Sequence, residues 1–312
     1  LWDLGIAEYS SVDATCKPEN WAAALGVVEK ELRRALQFGF TKAEMTEAKA
    51  NLLAAVENNA KSADTRKSQM LANSLVSRIS NRQVFSHPKD DLERVKPVLE
   101  AITAEQCQDE MKSVWGDLSQ VIAYAVGNVT IDGGEGAVLA AYQESAKIAV
   151  EAPEQEEVGE FAYADVLEPA EVTERKEIED LEITQIRFAN HVRANFKSTD
   201  FEEETVRVTA RIGGGRLTAP KDKPGLPLFI GATFEAGGLE AHDVDELQRV
   251  LAGETVDANF SIDEDAFVVL GRTTTEDLLL QLQLMRAFIL HPAYREEGCL
   301  LYTSDAADEV LG

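Results

Sequence analysis

Residues 183–215 read ITQIRFANHVRANFKSTDFEEETVRVTARIGGG, and this stretch decides the fold class. The runs 183–188 and 192–196 are rich in β-branched and aromatic residues and flank Ala189-Asn190-His191, so the chain should fold back there as a hairpin. Beyond it Val206, Val208, Ala210 and Ile212 alternate with Arg and Thr, the period of a half-buried strand, before Gly213-Gly214-Gly215 ends the run. The whole stretch predicts a meander of antiparallel strands. The glycines are read as backbone geometry at a strand end, because no Lys-Ser/Thr follows to make a phosphate cradle.

On the C-terminal side, 224–236 reads as an apolar helix. Asp243 and Glu246 are spaced to cap another helix running through Leu247 and Leu251. Strands are expected at 255–262 and 266–271. A helix over 275–290, with Leu278, Leu282, Met285 and Ile289 on one face, should stop at His291-Pro292.

On the N-terminal side the order is a strand at 6–16, several helices, and a second strand. Pro18-Glu19-Asn20 opens a helix with Trp21, Leu25, Val28, Leu32 and Leu36 on one face, a spacing that indicates core packing. Thr41 with Glu44, and Thr103 with Gln106, are capping-box spacings. The first should start a long helix with the stripe Met45, Ala48, Leu52 and Val56. The polar stretch 58–67 should bend it before Met70, Leu71, Leu75 and Val76 continue the pattern. His87-Pro88 breaks the chain, 92–102 is helical, 120–126 reads as a buried strand, and a helix near 136–149 closes this half. Antiparallel strands segregated from long helices define an α+β fold.

Between the halves, 151–180 is strongly acidic, with Pro153 and Pro169 and few large apolar residues, and is expected to be an exposed linker. With 56 acidic against 30 basic residues, the 312-residue chain carries a formal charge of −26. That balance argues against nucleic acid, whose binding needs clustered Lys and Arg. Adjacent acids such as Asp90-Asp91 and 202–204 read as solvated surface. Neither a membrane span nor a signal peptide is visible, and since the chain begins at Leu1, any targeting segment is expected upstream. Cys16, Cys107 and Cys299 have no framework spacing.

Two segments together resemble a known family. Residues 32–45, LRRALQFGFTKAEM, followed by Glu47-Ala48-Lys49, are similar to the "EL…L…GFT..EL..AK" segment of the second domain of M16 (pitrilysin/insulinase-like) metallopeptidases. Val192-Arg193 and 196–201, FKSTDF, are similar to the "NGVR…KPTDF" hairpin that opens the next repeat, with His191 standing where the family usually has Gly. The resemblance covers nearly all of residues 1–298. It implies an α+β fold of two partial M16-type domains (LuxS/mitochondrial-processing-peptidase-like). Residues 1–150 would be the C-terminal part of a second domain and 181–298 the N-terminal part of an inactive third, joined by the 151–180 linker.

What the resemblance implies about activity turns on the metal. The family's zinc site is HxxEH on a helix: two histidines one turn apart bind the metal and the Glu activates its water. No HxxEH occurs here; His87, His191, His242 and His291 are scattered. At the homologous place in the third domain stand Leu228, Gly231 and Ala232. His242 and Glu246 are four apart, yet a metal site needs a third convergent ligand, and the spacing suits the Asp243 cap better. His291 reads as a helix C-terminal residue beside the dipole and His87-Pro88 as a turn.

The expectation is therefore a fragment with no catalytic residue, no metal and no cofactor of its own. It would be an interior portion of a zinc endopeptidase, walling a chamber that encloses peptide substrates, and would lack the missing halves of its own domains as partners. The alternative is a non-catalytic scaffold or partner subunit. Residues 299–312 resemble the in-frame translation of a sequencing adapter and are expected to be non-native.

Overall fold

The computed structural model describes residues 10–128, 130–153, 158–165, 167–295 and 298. In the first half, a short 3-10 turn at Pro18–Asn20 places proline at its first position and leads into α1 (Trp21–Phe38). Gly39 ends α1 at φ 74°, a left-handed backbone that disfavours a side chain, and its N–H donates to the Ala35 carbonyl. Thr41 then caps α2 (Lys42–Lys61): Glu44 N–H donates to Thr41 Oγ1 at 3.1 Å, and Thr41 N–H to the Glu44 carboxylate at 2.6 Å.

The polar stretch 58–67 breaks this helix rather than bending it. A 3-10 turn at Ala63–Thr65 separates α2 from α3 (Ser68–Ser80), whose Met70 and Val76 are exposed. α4 (Pro88–Ala101) starts on His87-Pro88, and α5 (Ala104–Trp115) starts on the Thr103–Gln106 capping box. α6 (Gly134–Ser145) closes this half. α2 packs on α4, and α1 packs on α5 and α6.

The predicted strands of this half do not form among the described residues. Residues 121–128 are irregular, with Ile122 83% and Val126 89% exposed. Residues 10–17 are irregular too, and 6–9 lie outside the description. A strand is stabilised only through a paired ladder, and among the described residues neither run has a neighbouring strand to bond. Cys16 is thus half-buried in irregular chain, Cys107 is half-buried on α5, and Cys299 and the rest of 299–312 lie outside the description.

The second half begins earlier than composition indicated, because the acidic stretch carries β1 (Val172–Ile178). β1 pairs with β2 (Ile183–Phe188), and β2 with β3 (Arg193–Phe196), both antiparallel. The β2–β3 hairpin turns at His191, φ 68°, with Val192 N–H donating to Asn190 Oδ1. The meander stops there. β4 (Val206–Gly213) joins a second sheet of order β4-β6-β5, with β5 at Asn259–Ile262 and β6 at Ala266–Thr273. The acidic residues 202–204 suit solvent better than a tight turn, while β6 offers β4 a well-buried apolar partner.

α7 (Leu226–Thr233), α8 (Val244–Val250) and α9 (Leu278–Leu290) complete the chain among the described residues. The core is Phe234, Leu239, Leu247, Leu284, Ala287 and Phe288. The face of α9 turned inward matches the predicted one only in part: Met285 is buried and Leu278 and Ile289 are half-buried, but Leu282 is exposed, while Gln281, Leu284 and Phe288 are buried instead. An almost wholly apolar helix has no periodicity strong enough to choose a face. Gln281 can go inside because its amide donates to the Asp257 carbonyl at 2.6 Å and accepts the Asp257 N–H at 3.1 Å.

α2 ties the halves together. Asn58 Nδ2 donates to Thr255 Oγ1 at 2.7 Å, Gly253 N–H donates to Asn51 Oδ1 at 2.8 Å, and Lys61 pairs with Glu276 at 2.6 Å.

Candidate functional site

The helix that the M16 resemblance aligns with a zinc motif is α7. That helix is short and apolar because 226–231 carries no charge, and Pro227 sits in its first turn. Leu228 projects into solvent and Gly231 has no side chain, so neither supplies a ligand atom. The side chain of Ala232 lies outside the description. Among the described residues no group of three or more His, Cys, Asp or Glu is placed to hold a metal ion, so the donor set does not suit zinc.

The four histidines have separate surroundings. His87 Nδ1 accepts the Lys89 N–H at 3.3 Å, capping α4. His191 occupies the left-handed position of the β2–β3 turn. His291 follows α9, with its N–H donating to the Ala287 carbonyl and its Nδ1 3.3 Å from Glu240 Oε2. His242 is not paired with Glu246, whose carboxylate accepts the Asp243 N–H at 3.1 Å while Asp243 Oδ1 accepts the Glu246 N–H at 2.8 Å. His242 is instead 8% exposed, and its Nε2 accepts the Ala162 N–H at 2.9 Å. Sequence reasoning missed that contact. The available signal was Phe161 and Tyr163, two aromatics in an otherwise acidic, apolar-poor stretch.

A concavity lies in the first half. A groove of about 1300 Å³ runs between residues 10–17 and 121–128 and is floored by Trp21, Leu25, Val28 and Leu32 of α1, with Trp115 and Tyr142 at its sides. These are the apolar positions that helical periodicity assigned to a core; here Leu32 is buried and Trp21, Leu25 and Val28 are left half covered. Three carboxylates, Asp13, Glu29 and Asp117, also line the groove.

Glu29 accepts a bidentate pair from Arg33, at 2.7 and 3.0 Å, and a third bond from Ser145 Oγ at 2.6 Å. Burial pushes its carboxyl up, but the hydrogen bonds from Arg33 and Ser145 outweigh burial and leave it below the ordinary carboxylate range. Arg33 also donates to the carbonyls of Ser145 and Ile148, so the cluster ties α1 to the C-terminal end of α6. Every polar group in it is engaged, and its chemistry is that of a structural clamp.

Two carboxylates elsewhere are displaced upward. Glu235 is raised by burial, partly offset by the Phe260 N–H it accepts at 2.6 Å. Glu254 is raised by burial and then by its hydrogen bond and charge repulsion with Asp277. Asp277 in turn accepts from Thr255 N–H and Thr274 Oγ1, which leaves the pair at a helix start rather than in a cleft.

Fold and site together define an α+β chain with an open apolar groove and, among the described residues, no cluster of metal ligands. No protein-family model matches the chain. Its sequence is similar to that of the chloroplastic stromal processing peptidase of Oryza sativa subsp. japonica, 22% identical over 265 residues, which is 73% of this chain and 21% of that protein. The same peptidase from Oryza sativa subsp. indica is similar to the same degree, 22% over 265 residues. The chain thus spans about a fifth of the length of the curated relatives it matches.

Among solved structures, the periplasmic protease PqqL from Escherichia coli superposes with a TM-score of 0.42 at 18% identity, covering 89% of this chain and 31% of that one. The ferredoxin protease FusC, in complex with Arabidopsis ferredoxin, superposes with a TM-score of 0.48 at 14% identity, covering 94% and 33%. No helix among the described residues is long and apolar enough to cross a membrane.

Proposed function

We propose that this chain is a non-catalytic interior portion of a zinc-dependent M16-type metalloendopeptidase, forming part of the wall of a chamber that encloses peptide substrates. The observation that carries the reading is the sequence similarity to a processing peptidase of which this chain spans only 21%. The M16-like segments around residues 32–49 and 192–201 agree with it. Residues 1–150 and 181–298 are then parts of two successive domains, and zinc belongs to a part of the parent outside this chain.

The groove supports the same reading. Apolar side chains at 122, 124 and 126, on backbone without a ladder, are what a sheet looks like when neighbouring strands come from elsewhere in a longer polypeptide. The missing strands of the parent are the partner this surface suits.

Recovery and expression of the complete coding sequence tests the proposal. An HxxEH helix upstream, with stoichiometric zinc and chelator-sensitive cleavage of peptides by the full-length protein, is the expected result. A complete gene without that motif overturns it, and the chain becomes part of a scaffold or partner subunit.

A further inference from the structure

Residues 158–165 lie between the two halves in sequence and dock on the second, with His242 at the centre of the groups that hold them. Phe161 and Tyr163 pack against the core cluster that includes Leu239 and Phe288. The His242 ring stacks on Phe161, with centroids 5.9 Å apart, and meets Tyr163 edge-on at 6.2 Å. Tyr163 also stacks on His291 at 5.0 Å, and its hydroxyl accepts the Ala241 N–H at 3.0 Å. Gln283 of α9 donates to the Ala164 carbonyl at 2.7 Å.

Among these contacts, the bond from Ala162 N–H to His242 Nε2 depends directly on the ring's protonation. Nε2 accepts only when it carries no proton, that is, with the ring neutral and its hydrogen on Nδ1. A second proton turns the acceptor into a donor facing another donor, and places a cation in a nearly buried ring. Histidine is the side chain that makes this change between about pH 5 and 8.

We propose that His242 is a pH-operated latch: neutral, it fastens the 158–165 strap over the core of the second half, and protonated, it releases the strap. The surrounding charges are mixed. Glu240 and Asp243 flank His242 in its own turn, and Glu246 of α8 is turned to the Asp243 N–H. After α9 come His291, beside Glu240, and Arg295, whose guanidinium donates to the His242 carbonyl at 3.2 Å. Glu160 and Asp165 are exposed on the strap itself, and Glu235 beyond α7 is occupied by the Phe260 N–H. The bond that protonation breaks is made by the strap's own Ala162 N–H, so the loosening should be local to residues 158–165.

Amide hydrogen exchange of the intact chain, read on peptides covering 158–165 and corrected for the intrinsic pH dependence of exchange, tests the latch. Protection of these residues should fall by about tenfold between pH 7.5 and 5.0, while peptides from α9 and β6 hold theirs. His242→Gln, which puts an uncharged carbonyl oxygen near the place of Nε2, should keep the strap protected at both pH values. His291→Gln should retain the wild-type response. Equal protection of the strap at both pH values overturns the proposal. The same loss in His242→Gln, abolition of the response by His291→Gln, or a loss spread over α9 and β6 overturns it as well.

Discussion

Replacing Glu29 by Gln removes the charge at the centre of the clamp between α1 and α6. In the native chain the carboxylate is 5% exposed and satisfies a bidentate Arg33 and the Ser145 hydroxyl. Gln retains one acceptor oxygen and turns an NH₂ group toward donors, so at least one charge-assisted bond is lost and Arg33 is left without its counter-ion. Breaking a fully buried pair costs about 3–5 kcal/mol. The Arg33 side chain is 21% exposed and can regain water, which brings the expected loss to about 2–3 kcal/mol.

Urea unfolding followed by tryptophan emission measures this, because Trp21 stands at the start of α1 and Trp115 at the end of α5. The dependence on pH has a definite sign. Glu29 is held below the ordinary carboxylate range when folded, so it binds fewer protons there than when unfolded. Its contribution is complete above the ordinary carboxylate range and is lost as pH falls through the depressed folded value. The wild type should lose its advantage over Glu29→Gln on acidification. A difference under about 0.5 kcal/mol at neutral pH, or parallel acid curves for the two proteins, would refute the clamp.

A Cβ at Gly271 would collide with the amide of the buried Gln281 and the carbonyl of Asp257. Gly271→Ala should therefore displace the Gln281–Asp257 bonds and cost about 2–3 kcal/mol, and an unchanged thermal midpoint would contradict that packing. Val126 lies on the unladdered run beside the groove, so Val126→Lys should lower light scattering from self-association while leaving the unfolding midpoint in place. Scattering unaffected by the lysine would mean that the run is not a sticky edge.

Local signals carried most of the elements. The capping boxes at Thr41, Thr103 and Asp243 start helices where the spacing puts them, since each bonds only to its own first turn. The β2–β3 hairpin likewise needs only its two runs and a turn that tolerates His191 at positive φ. That Leu228 and Gly231 offer no metal ligand follows from side-chain chemistry, because a residue without a donor atom cannot ligate in any fold.

Other features depend on groups far apart in sequence. Whether 120–126 becomes a strand depends on a neighbour to bond, and its own apolar run cannot supply one. The same holds for β4, which leaves the first hairpin to pair with β6 some fifty residues on. The sequence by itself determined the α+β class, the caps, the hairpin and the absence of metal ligands at Leu228 and Gly231, because these follow from bonds within a few residues or from side-chain chemistry alone. Only the tertiary structure decided the inward turn of Gln281, the Glu29–Arg33–Ser145 clamp and the docking of residues 158–165 on His242. Each joins groups that periodicity treats as unrelated and that become partners once burial has removed water as the alternative.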